Sequence, residues 1–519
     1  MNNAVGREIP DELLKDGKEV YQGKYYMDGK YVKKDSPRTK IGVTPREDKL
    51  CSSIREACEK CGAHDGMTIS FHSSFRNGDY VASMVAKVLV EELGLKDLTI
   101  AATSLGDAQD VIADYIEEGI VIGAQTSGVR GRIGEVISAG KLKTPAIIRS
   151  HGGRPRAIEA GEVHIDIAFL AAPAADCYGN ANGFGGKNNC GSMGFAIVDS
   201  HCADHVVVIT DTLVDFPNLP SAISSIDVDC VCVVDSVGDA KKISTAEARM
   251  TDNPRELMMA ENVANVIAAT PYFKEGFSFQ TGVGGPSLAV NRFLETHMLD
   301  RNITMGFALG GISSAICKLQ DKGLVKKILD TQDFDAVAIE HLASHPDHHE
   351  ISLSEYANPG NKGAYVNKLD YVVLSALEVD TKFNVNVITG SDGVLRGAPG
   401  GHPDTAAGSK CCIIVTPLIR GRMATVCKEV VTVTTPGDCV DVLVTDYGIA
   451  VNPLRPDLIE CLDKAGIAHG TIESLQEKAY SLVGTPDDLQ WEDKVIAIVE
   501  ARDGTILDVV RKIKPLQLD

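Results

Sequence analysis

The sequence predicts an α/β protein built from two similar tandem domains, each an open and mostly parallel sheet flanked by helices, with an irregular N-terminal arm. Two observations carry this prediction: apolar runs of strand length alternate with amphipathic helical stretches, and one polar pattern recurs 204 residues later. The chain has 519 residues, enough for two or three compact cores. With 44% hydrophobic and 24% charged residues, its composition excludes bulk disorder.

Six apolar runs in the first part of the chain have the length and composition of buried strands. They are residues 67–71, 98–102, 120–124, 145–150, 165–172 and 205–210. The stretches 80–94 and 107–119 between them predict helices, and each ends at a glycine that suits a helix C-terminus. Strands that alternate with helices of this length predict a doubly wound parallel sheet.

A repeat of polar residues divides the chain. The four residues Asp166, Asp176, Asn180 and Asn182 recur as Asp370, Asp380, Asn384 and Asn386. A period of 204 residues indicates duplicated domains and not a solenoid. We therefore predict an arm at 1–45, a first domain at 46–240 and a second at 241–519. Because open sheets bind ligands beyond the carboxyl ends of their strands, we expect the site in a cleft between the two halves.

The helix predicted at 251–269 opens the second half. Asp252 or Asn253 is suited to cap it, and Pro254 falls in its first turn. The domain boundary is therefore expected near residues 230–250.

Charge and composition exclude several classes of partner. The net charge of −20, from 51 basic and 71 acidic residues, argues against nucleic acid and anionic membranes. The first residues lack the pattern of a secretory signal, and no apolar stretch of about eighteen residues occurs, so we expect a cytoplasmic protein with no membrane partner. The 14 cysteines lie mostly in apolar runs and predict reduced core thiols.

A glycine turn at 277–290 leads from an apolar segment into a helix. Gly282, Gly284 and Gly285 let the backbone approach a ligand, and a helix N-terminus offers N–H groups to an anion or a developing oxyanion. The turn is not a nucleotide-binding fingerprint. Without further residues, a purely structural turn remains an equal alternative.

A second glycine-rich loop at 390–408 is too polar to be only a connector. Its candidate ligand-binding residues are Gly397, Gly400, Gly401, His402 and Asp404. The loop at 180–194 has a similar composition. Two such loops that face one cleft are suited to a large acyl carrier.

Several long strings resemble one family in order and spacing. QTGVGGPSLAV (280–290), the Gly-Gly-His-Pro-Asp loop and VTDYGIAVNPLRPDL (444–458) resemble segments of CoA-transferases. FHSSFRNGD (71–79), RSHGGRPRAIEAGE (149–162) and FNVNVITGSDGVLRGAPGGH (383–402) resemble the citrate lyase alpha subunit family in particular. The resemblance covers nearly everything after residue 45.

The resemblance implies a transferase step in which citrate replaces acetate on a carrier thioester, giving citryl-thioester and free acetate. It implies no cofactor bound covalently to this chain. The co-substrate would be acetyl-CoA or the phosphoribosyl-dephospho-CoA arm of the acyl carrier protein (gamma) subunit. A separate citryl lyase (beta) subunit would cleave the product, and an oligomer is expected.

One departure from the wider CoA-transferase pattern concerns Gly310. In the string GFALGGISSAICKLQDKG (306–323) it occupies the position where many of those enzymes carry a nucleophilic glutamate. A covalent glutamyl-thioester cannot form there, so we expect direct attack by a citrate carboxylate through a mixed anhydride. Gly284, Gly285, Gly310 and Gly401 are the candidate backbone oxyanion donors.

Three alternatives stay open at this point. Glu378 is available as a replacement nucleophile. The chain is also compatible with a catalytically silent scaffold that docks the carrier and lyase subunits, or with a transferase for a related acid such as citramalate.

Basic residues near strand ends are the candidate substrate ligands, because bidentate arginines match carboxylates. They are Arg76, Arg149, Arg154, Arg156, His72 and His151. An ion pair at the surface remains an alternative for each arginine, and a turn cap for each histidine.

A histidine-rich stretch lies at 341–350. His341 and His345 are one helical turn apart, a spacing that can bind zinc, but Pro346 interrupts the helix. We expect a solvated helix end and no metal site.

Overall fold

The computed structural model describes residues 1–15, 18–24, 47–72, 74–243, 251–282 and 284–514. Most of the predicted arm at 1–45 and part of the expected boundary at 230–250 therefore lie outside the described residues. The described chain folds into two α/β halves, as the alternation of strands and helices predicts.

The strands fall into two large sheets. Those of the first half are β1 (Leu50–Cys51), β2 (Thr68–Phe71), β3 (Leu98–Ala102), β4 (Val121–Thr126), β5 (Ala146–Ile148), β6 (Ile167–Ala172), β7 (His205–Thr210) and β8 (Cys230–Val233). Those of the second half are β9 (Ser278–Thr281), β10 (Met305–Ile312), β11 (Val325–Asp333), β12 (His348–Glu350), β13 (Tyr371–Leu374), β14 (Cys411–Val415), β15 (Val442–Thr445) and β16 (Gly448–Val451). A C-terminal hairpin follows, with β17 (Trp491–Glu500) and β18 (Ile506–Ile513).

The two sheets share one strand order. The first runs β1-β8-β7-β6-β2-β3-β4-β5-β17-β18, and the second runs β12-β11-β10-β9-β13-β14-β15-β16. Reading the second in reverse, β13 stands beside β9 as β6 stands beside β2, and β14, β15, β10, β11 and β12 take the places of β7, β8, β3, β4 and β5. The outermost strands differ, because β16 is antiparallel to β15 whereas β1 is parallel to β8. All pairings are parallel except those within the terminal hairpins, β17 with β18 and β15 with β16. The duplication inferred from the polar repeat is therefore present in the topology.

Helices connect the strands and cover both faces of each sheet. They are α1 (Ile54–Lys60), α2 (Val81–Lys87), α3 (Val111–Glu117), α4 (Gly131–Ser138), α5 (Gly153–Glu159), α6 (Gly194–Cys202), α7 (Pro254–Ala269), α8 (Gly285–Arg301), α9 (Ser314–Asp321), α10 (Ala336–Ser344), α11 (Leu353–Ala357), α12 (His402–Gly408), α13 (Pro456–Ala465) and α14 (Ile472–Val483). At α7 the side chain of Asn253 accepts a hydrogen bond from the Arg255 N–H (3.0 Å), so Asn253 is the cap. None of the helices found among the described residues is long and apolar enough to cross a membrane.

The repeated polar residues serve the backbone of each half. Asp166 accepts from the Thr68 N–H (2.6 Å), and Asp370 accepts from the Ser278 N–H (2.9 Å), so each ties the strand that follows it to its sheet neighbour. Asp176 and Asp380 each accept from two backbone N–H groups of the turn that follows. The repeat is thus a structural signature, because these carboxylates accept hydrogen bonds from backbone N–H groups of their own half.

Helix α11 of the second half packs into the core of the first half. The core of the first half contains Leu353, Tyr356 and Ala357 of α11 from the second half. The hairpin β17–β18 follows the second half in sequence but extends the first sheet, through β17 beside β5. The second sheet is therefore built within 251–490. The hairpin, which the predicted second domain 241–519 included, belongs to the first sheet. The predicted boundary at residue 240 itself stays a prediction.

The described part of the N-terminal arm lies on the hairpin. Val20 forms a β-bridge with Ile506, and Ile9 packs in the same small apolar cluster. Arg7 forms an ion pair with Asp508 (3.1 Å).

Candidate active site

The carboxyl ends of β9, β10 and β13 meet at the edge of the second sheet that faces the first half. Gln280 lies near the end of β9, and its side chain is buried. Its Nε2 donates to the hydroxyl of Tyr356 on α11 (2.8 Å). Two of the predicted oxyanion glycines, Gly310 and Gly401, adjoin this pair.

Gly310 has φ +102°, and a Cβ atom at this position would lie 2.6 Å from Gln280 Nε2. A Cβ atom on Gly401 would collide with the Tyr356 hydroxyl. Both positions therefore require glycine, because any side chain would displace the Gln280–Tyr356 pair. The structure brings Gly310 and Gly401 to opposite ends of one hydrogen-bonded link.

The other glycine turn is adjacent to the same edge. Gly284 is the N-cap of α8 and provides no side-chain cap, and Gly285 begins the helix. A Cβ atom on Gly284 would collide with Ser375 Oγ, just beyond β13, whereas one on Gly282 would have ordinary contacts. The N–H dipoles of α8 therefore open onto this edge, as expected for a site that stabilises an anion.

His402 holds the start of α12 against the same strand. Its Nε2 donates to the Ser375 carbonyl (3.1 Å), so its Nδ1 accepts from the Thr435 hydroxyl (2.7 Å). Burial lowers the pKa of His402 to about 4, so the ring is neutral. With both nitrogens engaged, His402 positions the loop, and its predicted contact with the carrier stays a prediction.

The glycine loop at 390–408 is fixed by the first half. Asp404 accepts hydrogen bonds from Ser150 Oγ and from the Gly152 N–H (both 2.8 Å). The Gly400 carbonyl accepts from the His151 N–H (2.8 Å). Asp404, predicted as a carrier ligand, is instead fully buried as a link between the halves, and burial raises its pKa to about 6.

A second contact with the first half lies further along this loop. The Gly397 carbonyl accepts from the Val129 N–H (3.1 Å), and a Cβ atom on Gly397 would collide with the Val387 carbonyl. This close backbone approach explains the glycine at 397 without a ligand.

His151 stands between this loop and the first half. Its ring lies edge-on to Phe195, with centroids 4.8 Å apart. Burial, and then the positive charges of Arg154 and Arg130, lower its pKa to about 3. Part of its surface is accessible, so it can meet a ligand as a neutral imidazole.

Arg76 reaches from the first half to the wall that carries Gly310. Its guanidinium lies 5.0 Å from the centre of the Phe334 ring, and a Cβ atom on Gly311 would collide with that ring. The backbone of Arg76 is left-handed, with φ +51°, a conformation that costs energy in a residue with a side chain. Arg76 therefore lies over Phe334, and Phe334 packs on Gly311, the residue that follows the predicted oxyanion donor Gly310.

His72 directly follows β2. Its Nδ1 is 2.9 Å from Ser74 Oγ, and its buried Nε2 has no hydrogen-bond partner among the described atoms. Burial lowers its pKa to about 4.

The other three arginines are committed to carboxylates. Arg149 pairs with Glu500 (2.6 Å), Arg154 with Asp199 (2.6 Å) and Arg156 with Glu162 (2.6 Å). All three guanidinium groups are buried, so the ion-pair alternative is observed inside the protein and not at its surface. A contact between these arginines and citrate would require breaking a buried ion pair, which makes the role predicted for them unfavourable.

Two carboxylates of the second half were not predicted as site residues, although Glu350 ends the histidine-rich stretch at 341–350. Asp333 Oδ2 accepts from the Ser192 N–H (2.9 Å), and Glu350 accepts from the Met193 N–H, so both meet the first half. Burial raises the pKa of Asp333 and raises that of Glu350 to about 7. Gln280 lies in the motif QTGVGGPSLAV and was identifiable from the sequence as an amide at a strand end. Tyr356 had no such signal, because it reaches Gln280 only through the packing of α11.

Glu378, the alternative nucleophile, lies in the short strand Glu378–Asp380. Its Oε2 accepts from Asn386 Nδ2 (2.8 Å) and from the Val431 N–H (3.0 Å). Burial raises its pKa. Its carboxylate thus holds the turn of the second repeat.

The histidine-rich stretch differs from the expected solvated helix end. His341 and His348 are both buried, and their Nδ1 atoms are 2.9 Å apart. The helix ends before Pro346, and the chain continues into β12. His348, the first residue of β12, is buried there and not exposed at a helix end.

The two similar sheets, with glycine-rich loops beyond their strands, define a CoA-transferase-like α/β protein. A family model described as citrate lyase, alpha subunit (CitF) matches residues 47–513. The chain is 51% identical to the citrate lyase alpha chain of Haemophilus influenzae over 491 residues, which is 95% of this chain and 98% of that one. It therefore belongs to the citrate lyase alpha subunit family, the citrate CoA-transferase component of the citrate lyase complex.

Solved structures agree. The crystal structure of a Streptococcus mutans citrate lyase alpha subunit in complex with citrate has a TM-score of 0.95 at 50% identity, covering 99% of this chain and 100% of that one. The malonate decarboxylase alpha subunit of Acinetobacter baumannii has a TM-score of 0.63 at 16% identity, covering 84% and 87%, and shares the fold alone. The predicted family, fold class and enzyme class are confirmed.

Proposed function

We propose that this chain transfers the acyl-carrier thiol from acetyl-thioester to citrate, without a covalent enzyme intermediate. The single observation that carries the proposal is the wall formed by Gly310, Gly311, Phe334 and Arg76, in which Arg76 lies over the Phe334 ring that packs on Gly311. It combines a cation, a position where only glycine fits, and the open N-terminus of α8 on the same edge. Such a wall supports positioning and charge stabilisation, and it provides no carboxylate at Gly310.

The reaction proceeds by two acyl exchanges. A citrate carboxylate oxygen adds to the carbonyl carbon of the acetyl thioester, and the C–S bond breaks to give a mixed anhydride and a thiolate. The thiolate then adds to the citryl carbonyl carbon of the anhydride. The bond from that carbon to the bridging oxygen breaks, so citryl-thioester forms and acetate leaves with the oxygen that citrate supplied.

The residues of the wall have distinct roles. The guanidinium of Arg76 binds a citrate carboxylate, with His72 and His151 as further candidates from the first half. The backbone N–H groups of Gly284, Gly285, Gly310 and Gly401 are proposed to stabilise the oxyanions of the two tetrahedral intermediates. Gly282, Gly397, Gly400 and the His402 loop are proposed to receive the carrier arm.

The finer identity of the partners also belongs to this proposal. The carrier is the phosphoribosyl-dephospho-CoA arm of the gamma subunit, with acetyl-CoA as a surrogate, and the product passes to the beta subunit. No cofactor is bound covalently to the chain itself.

A single-turnover experiment tests the route. The enzyme, in excess over acetyl-CoA, is mixed with citrate labelled with ¹⁸O in its carboxylates, and the acetate is analysed by mass spectrometry. Direct attack predicts label in the first acetate released. A covalent enzyme carboxylate such as Glu378 would place an unlabelled enzyme oxygen in that acetate, and Glu378→Gln would then abolish transfer.

Two other outcomes would replace the proposal. If neither acetyl-CoA nor authentic acetyl-carrier protein reacts, the chain acts as a scaffold. If citramalate is used with a higher kcat/KM than citrate, the acid substrate must be reassigned.

A further inference from the structure

Three potential metal ligands meet inside the second half. Cys317 lies on α9, His341 on α10 and His348 on β12. All three are buried, and their ligand atoms lie within 4.8 Å of one another. We call these three residues the thiol–imidazole cluster.

The two histidines differ in their carboxylate contacts. His348 Nε2 lies 3.2 Å from the Asp330 carboxylate, so it bears the hydrogen and His348 Nδ1 bears a lone pair. His341 Nε2 lies 3.4 Å from the Asp321 carboxylate but has no hydrogen-bond partner among the described atoms. The two Nδ1 atoms face each other at 2.9 Å. At this distance the two nitrogens either share a proton in an N–H···N hydrogen bond or bind one electrophile together.

We propose that the thiol–imidazole cluster binds one zinc ion through Cys317 Sγ, His341 Nδ1 and His348 Nδ1. Two nitrogens bound to one tetrahedral zinc are separated by about 3.3 Å, so the observed pair needs to widen by only a few tenths of an ångström. A thiolate with two imidazoles is a donor set that zinc prefers over magnesium or calcium. A solvent molecule completes the fourth position.

The surroundings match a metal site in a second respect. Metal-bound histidines commonly donate their other N–H to a carboxylate, which orients the ring, and here His348 does so toward Asp330. His345 stacks on His341, with ring centroids 4.6 Å apart and planes 11° apart, and covers the outer side. These contacts around the thiol–imidazole cluster are a second observation, separate from the distances between its three ligand atoms.

The ion would hold together three elements beneath the reaction wall. β12 continues from His348 to Glu350, which contacts the first half, and α9 follows directly after β10. Zinc at this place is structural, because none of its ligands is among the residues proposed to bind citrate or the carrier arm. Loss of the ion should therefore loosen the wall without removing any group that touches substrate.

The test measures metal directly on the full chain. Purified protein is loaded with zinc, passed through a desalting column and analysed for bound metal and for its melting temperature. We expect about one zinc per chain, at least about tenfold less in Cys317→Ser and His341→Gln, and a lower melting temperature after chelation. Cys461→Ser and the exposed His349→Gln are matched controls that should keep the metal.

A measurement on the unaltered chain covers the case in which variants fail to fold. Cobalt in place of zinc should give the visible bands of a tetrahedral site and a near-ultraviolet thiolate-to-cobalt band. Absence of retained zinc and of these bands would show that the two histidines share only a proton, and would overturn the proposal.

A neighbouring carboxylate set is the specific rival. Asp330, Asp333 and His348 also lie within 4.8 Å of one another. Zinc that persists in Cys317→Ser but is lost in Asp333→Asn would assign the ion to these oxygens and refute the thiolate ligand.

Discussion

Replacing Gly310 with alanine tests whether the Gln280–Tyr356 link forms part of the reaction wall. Gly323 is a matched control, since both glycines have positive φ (+102° and +74°) but only Gly310 has neighbours within 4 Å of a new Cβ. A left-handed backbone costs alanine about 1–2 kcal/mol at either position. At Gly310 the methyl group also displaces the Gln280 amide, which adds about 1–3 kcal/mol of overpacking and about 1 kcal/mol for the hydrogen bond to Tyr356.

Gly310→Ala should therefore lose about 2–4 kcal/mol more stability than Gly323→Ala. Its kcat should fall by about 100-fold, because a displaced oxyanion donor affects the transition state. The assays are acetate release from acetyl-CoA and citrate, and the urea midpoint of unfolding. Combining Gly310→Ala with Gln280→Ser removes the collision and should restore part of the stability but not of kcat. Equal stability and kcat in Gly310→Ala and Gly323→Ala would refute the reasoning.

Three further predictions follow from the site. Arg76 and Asn302 both have a φ of +51°, so glycine at either position removes the same backbone strain. Arg76→Gly and Asn302→Gly should therefore keep the stability of the parent or gain up to about 1 kcal/mol. Only Arg76→Gly should raise the KM for citrate, by about tenfold or more. Arg154→Met leaves the buried Asp199 carboxylate unpaired and should cost about 3–5 kcal/mol of stability, partly recovered with Asp199→Asn; a changed citrate KM with unchanged stability would instead make Arg154 a substrate ligand. Burial raises the pKa of Glu350 to about 7, so its contribution to stability is fully present below about pH 4.5 and is lost as the pH rises through 7. Between these pH values the stability of Glu350→Gln should rise by about 1–3 kcal/mol relative to that of the parent. Parallel pH profiles of the urea midpoint in the two proteins would contradict this.

The regular elements were predictable because their signals are local. The runs at 98–102 and 205–210 coincide with β3 and β7, and the helix at 251–269 begins at Pro254 behind its Asn253 cap. Apolar runs and caps depend on neighbours in sequence, so a single chain reveals them. The partner of the C-terminal hairpin depends on tertiary packing, and the sequence did not indicate that it joins the first sheet.

The site was predictable in part for the same reason. The glycines at 310 and 401 were identifiable from their motifs, and Arg76 from its place after a strand. Arg149 and Arg154 looked equivalent to Arg76, but their carboxylate partners are 351 and 45 residues away. An arginine that faces a ligand and one that faces a buried carboxylate have the same local sequence, and only the fold separates them.

The C-terminal hairpin has a consequence for how the cleft can move. Because β17 and β18 return to the first sheet, the whole second half is an insertion within the first, joined to it by two chain crossings. A body attached at two points can rotate only about the line through them. Opening of the cleft should therefore be a hinge rotation about one axis and not a free reorientation of the second half. Both hinges exist only while the last strands stay in place, so deleting β17 and β18 would free the second half to swing without a fixed axis.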